Sequence, residues 1–169
     1  MKDNQPTSAE INQLILLFDA NDYEKTEKLA LEMLNKYKKN AFAWKVLGAT
    51  LQRKGKYKEA IESMSKAVEI DPHDSETIIN LAITLNLNKN YKEAIEKLEE
   101  LILRDRNTKA FCILSNLYKK VGNNKRALEN IIIAREINPE DVGILNDLSI
   151  LYIEMGELEK AEVILNKII

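Results

Sequence analysis

Apolar residues recur along this chain at three- and four-residue spacing, in stretches of about a dozen separated by short polar breaks. Such a pattern predicts amphipathic helices, each burying one face. The breaks are of two kinds. One falls on Asn21-Asp22, Gly55-Lys56, Lys89-Asn90, Gly122-Asn123 and Gly156-Glu157; Gly and Asn tolerate the left-handed conformation that ends a helix, which predicts tight turns between consecutive helices. The other falls on Asp71-Pro72 and Asn138-Pro139, where proline cannot continue a helix and biases the residue before it away from helical angles. The elements expected are pairs of helices, each pair joined by a short turn and followed by a longer link.

The pairs are copies of one another. Trp44 to Pro72, Ile79 to Leu103, Phe111 to Pro139 and Leu145 to Ile169 align at offsets of 34, 33 and 34 residues. Trp44, Leu47, Gly48, Leu51, Tyr57, Ala60, Met64, Ala67 and Pro72 mark one copy. Leu81, Leu114 and Leu148 repeat Leu47; Ala82, Ser115 and Ser149 repeat Gly48; Ala94, Ala127 and Ala161 repeat Ala60. A degenerate first copy keeps Leu17, Tyr23 and Ala30 in phase and departs at Glu10, Gln13, Thr26 and Lys38. The pattern resembles the tetratricopeptide repeat. That resemblance implies an all-α fold, a right-handed superhelical solenoid of about five antiparallel helix pairs. We expect residues 1–6 to form a disordered tail, followed by a single array over 7–169 with repeats 7–40, 41–74, 75–107, 108–141 and an incomplete 142–169. Small residues at Gly48 and Ala60 let the two helices of a pair approach closely, and a branched side chain there costs about 1 to 3 kcal/mol by overpacking. One pair cannot bury its own apolar face, so stability comes from stacking neighbours.

Composition narrows the functional classes. Twenty-five Lys and Arg are interleaved with 27 Asp and Glu for a net charge of -2, which is poor material for a phosphate-binding stripe, and no nucleic acid partner is expected. One Cys and one His exclude an internal disulfide and a four-ligand zinc site; neither metal nor cofactor is expected. Apolar runs such as Leu14 to Phe18 and Ile131 to Ala134 fall far short of the roughly 20 residues that cross a bilayer. The opening MKDNQPTSAE lacks the apolar segment of a secretory signal, so the expected setting is cytoplasmic and not membrane-bound. An enzyme is not expected either. His73 lies in an Asp-Pro-His-Asp turn between repeats with no enclosing pocket. Cys112 reads as a small apolar filler or as a thiol with Lys109 and Lys119 on its helix.

Function is expected on a surface. In the family this chain resembles, ligands lie in the concave groove lined by the first helix of each pair, which here offers Asn12, Ile15, Lys45, Ala49, Asn80, Ile83, Lys109, Asn116 and Lys120. Asparagine amides donate and accept at once, which suits the backbone of an extended peptide or protein segment. Ile83 and Ile150 either take ligand side chains or pack against the adjacent repeat. A narrower resemblance is to repeats that clamp the acidic C-termini of chaperones: Lys45, Asn80 and Lys109 match three slots, while Ala49 and Ile113 stand where two further donors belong. Ile11 to Leu51 also resembles the arrays that open long bacterial proteins with O-linked N-acetylglucosamine transferase-like or sulfotransferase-like domains, implying a substrate-recognition arm as one alternative. Self-association through an uncapped C-terminal helix ending in Val163, Ile164, Ile168 and Ile169 is the other.

Overall fold

The computed structural model describes residues 5–166 of the chain, and these are all-helical, without a strand. Ten helices follow in order: α1 (Ser8–Asp19), α2 (Tyr23–Lys36), α3 (Ala41–Arg53), α4 (Tyr57–Ile70), α5 (Ser75–Leu87), α6 (Tyr91–Ile102), α7 (Thr108–Lys120), α8 (Asn124–Ile137), α9 (Val142–Glu154) and α10 (Leu158–Leu165). Most of the expected tail, and the terminal Ile168 and Ile169, lie outside the described residues.

Each tight turn falls where the sequence places it, and all five close in one way. Asn21, Gly55, Lys89, Gly122 and Gly156 take positive φ. The next amide then reaches back five residues, from Asp22, Lys56, Asn90, Asn123 and Glu157 to the carbonyls of Leu17, Leu51, Leu85, Tyr118 and Tyr152, at 2.8 to 3.1 Å. This is the Schellman closure, which satisfies carbonyls that a helix end otherwise leaves bare. Lys89 is the odd member, because a lysine Cβ crowds the backbone in this conformation, where the Gly of three other turns meets no such clash.

The links between pairs end on side-chain caps. Asn40, Asp74, Asn107 and Asp141 each accept a hydrogen bond from a backbone N–H in the first turn of α3, α5, α7 and α9, satisfying a donor that has no helical partner. The third copy is one residue short. Its second helix, α6, has 12 residues where α2, α4 and α8 have 14, so the deletion is taken up at the end of that helix.

The described chain forms two compact units, with the boundary between Asn90 and Tyr91. In the first, α1 to α5 pack in sequence order around Leu14, Met33, Leu34, Leu47 and Leu51. Gly48 shows why a small residue is required. A Cβ there would lie 2.5 Å from Met64 Cγ and 3.2 Å from the Ala60 carbonyl oxygen. In the second unit, α6 to α10 follow the same order, with Leu114, Leu117, Ile131, Leu148 and Leu151 fully buried.

Two departures in the first copy have local causes. Glu10 stands where a bulky apolar residue is usual because it completes a capping box: it accepts from the Thr7 N–H at 2.7 Å while Thr7 Oγ1 accepts from the Glu10 N–H at 3.2 Å. Those bonds, joined by others from Lys36 and Tyr37, hold the Glu10 carboxyl down at about 2. Thr26 is fully buried and its hydroxyl donates to the Asp22 carbonyl at 2.8 Å, so the polar atom enters the core satisfied.

Gly48→Val is expected to lower stability by about 2 to 3 kcal/mol through overpacking against Met64, read as a fall in urea midpoint at unchanged m-value. Lys89→Gly is expected to raise stability by about 0.5 to 1 kcal/mol, seen as a higher urea midpoint, the relief of a strained φ less the added chain entropy of glycine. A loss of stability in that variant would mean Lys89 makes a compensating contact.

Candidate functional site

In the first unit the first helices α1, α3 and α5 are neighbours in space, α3 touching both of the others. Their shared face carries Asn12 and Ile15, both exposed on α1, the half-buried Ala49 on α3, and the half-buried Asn80 and Ile83 on α5. Val46, at the register of Asn12 and Asn80, is buried. The amides of Asn12 and Asn80 make no side-chain hydrogen bond with any described residue. A third amide is engaged: Gln52 Nε2 donates to Thr84 Oγ1 at 2.7 Å, and that hydroxyl donates to the Asn80 carbonyl at 2.7 Å. The Gln52 bond joins α3 to α5 and leaves the Asn80 side chain out of the tie.

Lys45 is held differently. Its side chain is 21% exposed, and its ammonium donates to Asp74 Oδ2 at 3.0 Å and, at shorter range, to Glu76. Asp74 is also the cap of α5, accepting from the Glu76 and Thr77 amides at 3.0 and 3.3 Å and from the Thr77 hydroxyl at 2.6 Å. Glu76 is 69% exposed. Burial works against charge on both tied partners, and hydrogen bonding outweighs it. The Asp74 carboxyl is driven up by burial but brought below its ordinary value by Thr77 and Lys45; the Lys45 ammonium is driven down by burial but brought above its ordinary value by Glu76 and then Asp74. The sequence offered Lys45 as a ligand-facing cation. The signal for its occupation was the acidic Asp74 and Glu76 at the start of the following first helix.

In the second unit, α7 presents Lys109, Asn116 and Lys120 at exposed positions, and α9 presents Asn146, Ile150 and Ile153. Asn116 and Asn146 make no side-chain hydrogen bond with the described residues. Lys119 pairs with Glu154 at 2.9 Å and ties α7 to α9. Lys120 lies 5.5 Å from the centre of the Tyr91 ring, a cation–π distance. On the outer side Arg126 bridges the Tyr118 hydroxyl at 2.5 Å and Glu99 at 2.8 Å.

The side chains that the sequence singled out for reactive chemistry are Cys112 and His73. Cys112 is half-buried, and burial first, then the negative charges of Asp147 and Asp141, push its thiol up to about 11. A nucleophilic thiol needs the opposite surroundings. His73 sits in an exposed turn, where its backbone N–H donates to Asp71 Oδ1 at 3.2 Å. No group of three or more His, Cys, Asp or Glu among the described residues is placed to hold a metal ion, and no helix among them is long and apolar enough to cross a membrane.

Comparisons with known proteins agree with this geometry. Residues 7–148 match the tetratricopeptide repeat family. A TPR repeat-containing protein of Methanocaldococcus jannaschii is 27% identical over 85% of this chain and 28% of its own length. The human protein O-mannosyl-transferase TMTC1 is 31% identical over 60% of this chain and 12% of its own length. The chain thus spans less than a third of either curated relative. Among solved structures, YrrB, described as a TPR protein with an unusual peptide-binding site, superposes with a TM-score of 0.78 at 22% identity, covering 96% of this chain and 84% of that one.

The Asp74 carboxyl lies below its unfolded value of 3.8 in the fold. Its charge therefore stabilises the folded chain above that pH and ceases to as the pH falls below it. Asp74→Asn, which keeps the cap and removes the charge, is expected to be less stable than the parent at neutral pH. The gap should close below about pH 4, as the parent carboxyl takes up its proton. Urea midpoints measured across the acid range check this, and a gap that persists at low pH would assign the loss to packing.

Proposed function

We propose, since this chain belongs to the tetratricopeptide repeat family, that it is a non-catalytic protein-binding module in which the first-helix face of each unit holds an extended segment of a partner protein. One observation carries the reading. The asparagines Asn12, Asn80, Asn116 and Asn146 lie on those faces with side-chain amides that bond to no described residue. The other polar groups beside them, Lys45, Gln52 and Lys119, are engaged within the fold. An unengaged amide pairs with both the C=O and the N–H of a peptide backbone without asking for a particular side chain. Ile15, Ala49 and Ile83 in the first unit and Ile150 in the second add apolar surface for a ligand's side chains. Lys109 and Lys120 give the second unit a cationic edge. YrrB, described by its peptide-binding site, supports a peptide as the ligand class.

A second reading is that the array is the recognition arm of a larger transferase. The likeness to a stretch of a protein O-mannosyl-transferase favours it, together with the small share of that relative which the chain spans. In both readings the array does the binding and the chemistry lies elsewhere.

The test is affinity capture with the chain and with Asn80→Ala and Asn116→Ala, singly and together. Each replacement is expected to weaken capture of one and the same protein by about three- to tenfold, the value of a hydrogen bond made on binding, with circular dichroism unchanged. Capture that survives the double replacement intact would overturn the assignment of the amides.

A further inference from the structure

We propose that Glu76 is a specificity-determining residue that makes the first unit reject acidic ligand ends, by occupying the Lys45 cation before a ligand arrives. The inference deepens the reading of the first-helix face as a ligand surface and rests on it. Three facts carry it. Lys45 gives its ammonium to two carboxylates, Asp74 and Glu76, so the trio is net negative and the cation is spent. Asp74 cannot turn away, because the same carboxylate accepts two backbone amides and the Thr77 hydroxyl that start α5. Glu76 is the displaceable arm: 69% exposed, on the first turn of α5, with no duty in the cap beyond the backbone N–H it gives to Asp74.

A carboxylate arriving from solution must therefore displace Glu76 from Lys45. Glu76 is tethered beside its partner, and a tethered partner competes at an effective concentration of about millimolar or more. An acidic segment present at micromolar concentration loses that competition, and it also meets the unbalanced negative charge of the trio. A neutral segment that pairs with Asn12 and Asn80 meets neither obstacle. The carboxylate-clamp likeness of Lys45, Asn80 and Lys109 thus fails at its first member because the clamp already holds a carboxylate of its own.

The experiment titrates the whole chain with two peptides, one ending in Glu-Glu-Val-Asp with a free C-terminus and one its amidated Gln-Gln-Val-Asn counterpart. The parent should bind the acidic peptide no better than the neutral one. Glu76→Gln should tighten the acidic peptide about tenfold, the value of one charge-assisted contact, and leave the neutral peptide unchanged. Adding Lys45→Ala to Glu76→Gln should erase the gain, and Glu62→Gln, the same change in net charge on the exposed side of α4, should produce none. An acidic peptide that binds the parent more tightly than the neutral one, or a Glu76→Gln chain that gains nothing, overturns the proposal. Failure of the protein-binding reading shows separately, as capture indifferent to Asn80 and Asn116.

Discussion

At Gly48 the backbone of α3 lies so near α4 that one added methyl group would meet Met64 Cγ at 2.5 Å. Helices can approach this closely only where a side chain is missing or small, and the buried Ala82, Ser115 and Ser149 keep that condition in the later copies. The contact sets the pitch of a pair, and the pitch decides which residues of each first helix turn inward and which face solvent. Thr84 on α5 is an example. It is fully buried, yet its hydroxyl joins Gln52 to the Asn80 carbonyl, so a core position aligns a surface one.

Electrostatics in the first unit serves alignment more than attraction. Lys45 binds the cap of the next first helix, and Lys54 reaches back to Glu24 and Glu27 of α2 at 2.7 and 2.6 Å. Each lysine is largely shielded from solvent, and these pairs fix neighbouring helices in register. The same bonds engage Lys45 and Lys54 within the fold, while the Asn12 and Asn80 amides bond to no described residue.

The fold was legible because its rules are local and repeated. Five left-handed turn residues, the spacing of Leu47, Leu81, Leu114 and Leu148, and the prolines at 72 and 139 each bound an element, and the helices begin and end beside them. The capping residues Asn40, Asp74, Asn107 and Asp141 followed the same logic, written in link positions rather than in apolar ones. Glu10 looked like an imperfection until its bonds to Thr7 were seen. The candidate surface was harder to read, since register says which residues face a ligand but not which are already engaged. Lys45 and Asn80 occupy comparable slots in sequence; only the positions of Asp74 and Glu76, reached across a link, separate the occupied group from the unoccupied one. Cys112 turned first on its burial and then on neighbours of the same kind, Asp147 and Asp141, more than two dozen residues away.

The Schellman closures also divide the chain by its vulnerability. Within every tight turn the amide three residues past the helix end is bonded back to a carbonyl, and Asp22 and Asn123 at once go on to cap the helix that follows. Such a segment cannot be drawn out into the extended form that a protease cleaves without undoing both helix ends. The longer links, among them the exposed stretch around Pro139 and Glu140, carry less of this internal bonding and more open backbone. Digestion under native conditions would accordingly cut between helix pairs and spare the turns within them, reporting the repeat as a physical piece of the molecule.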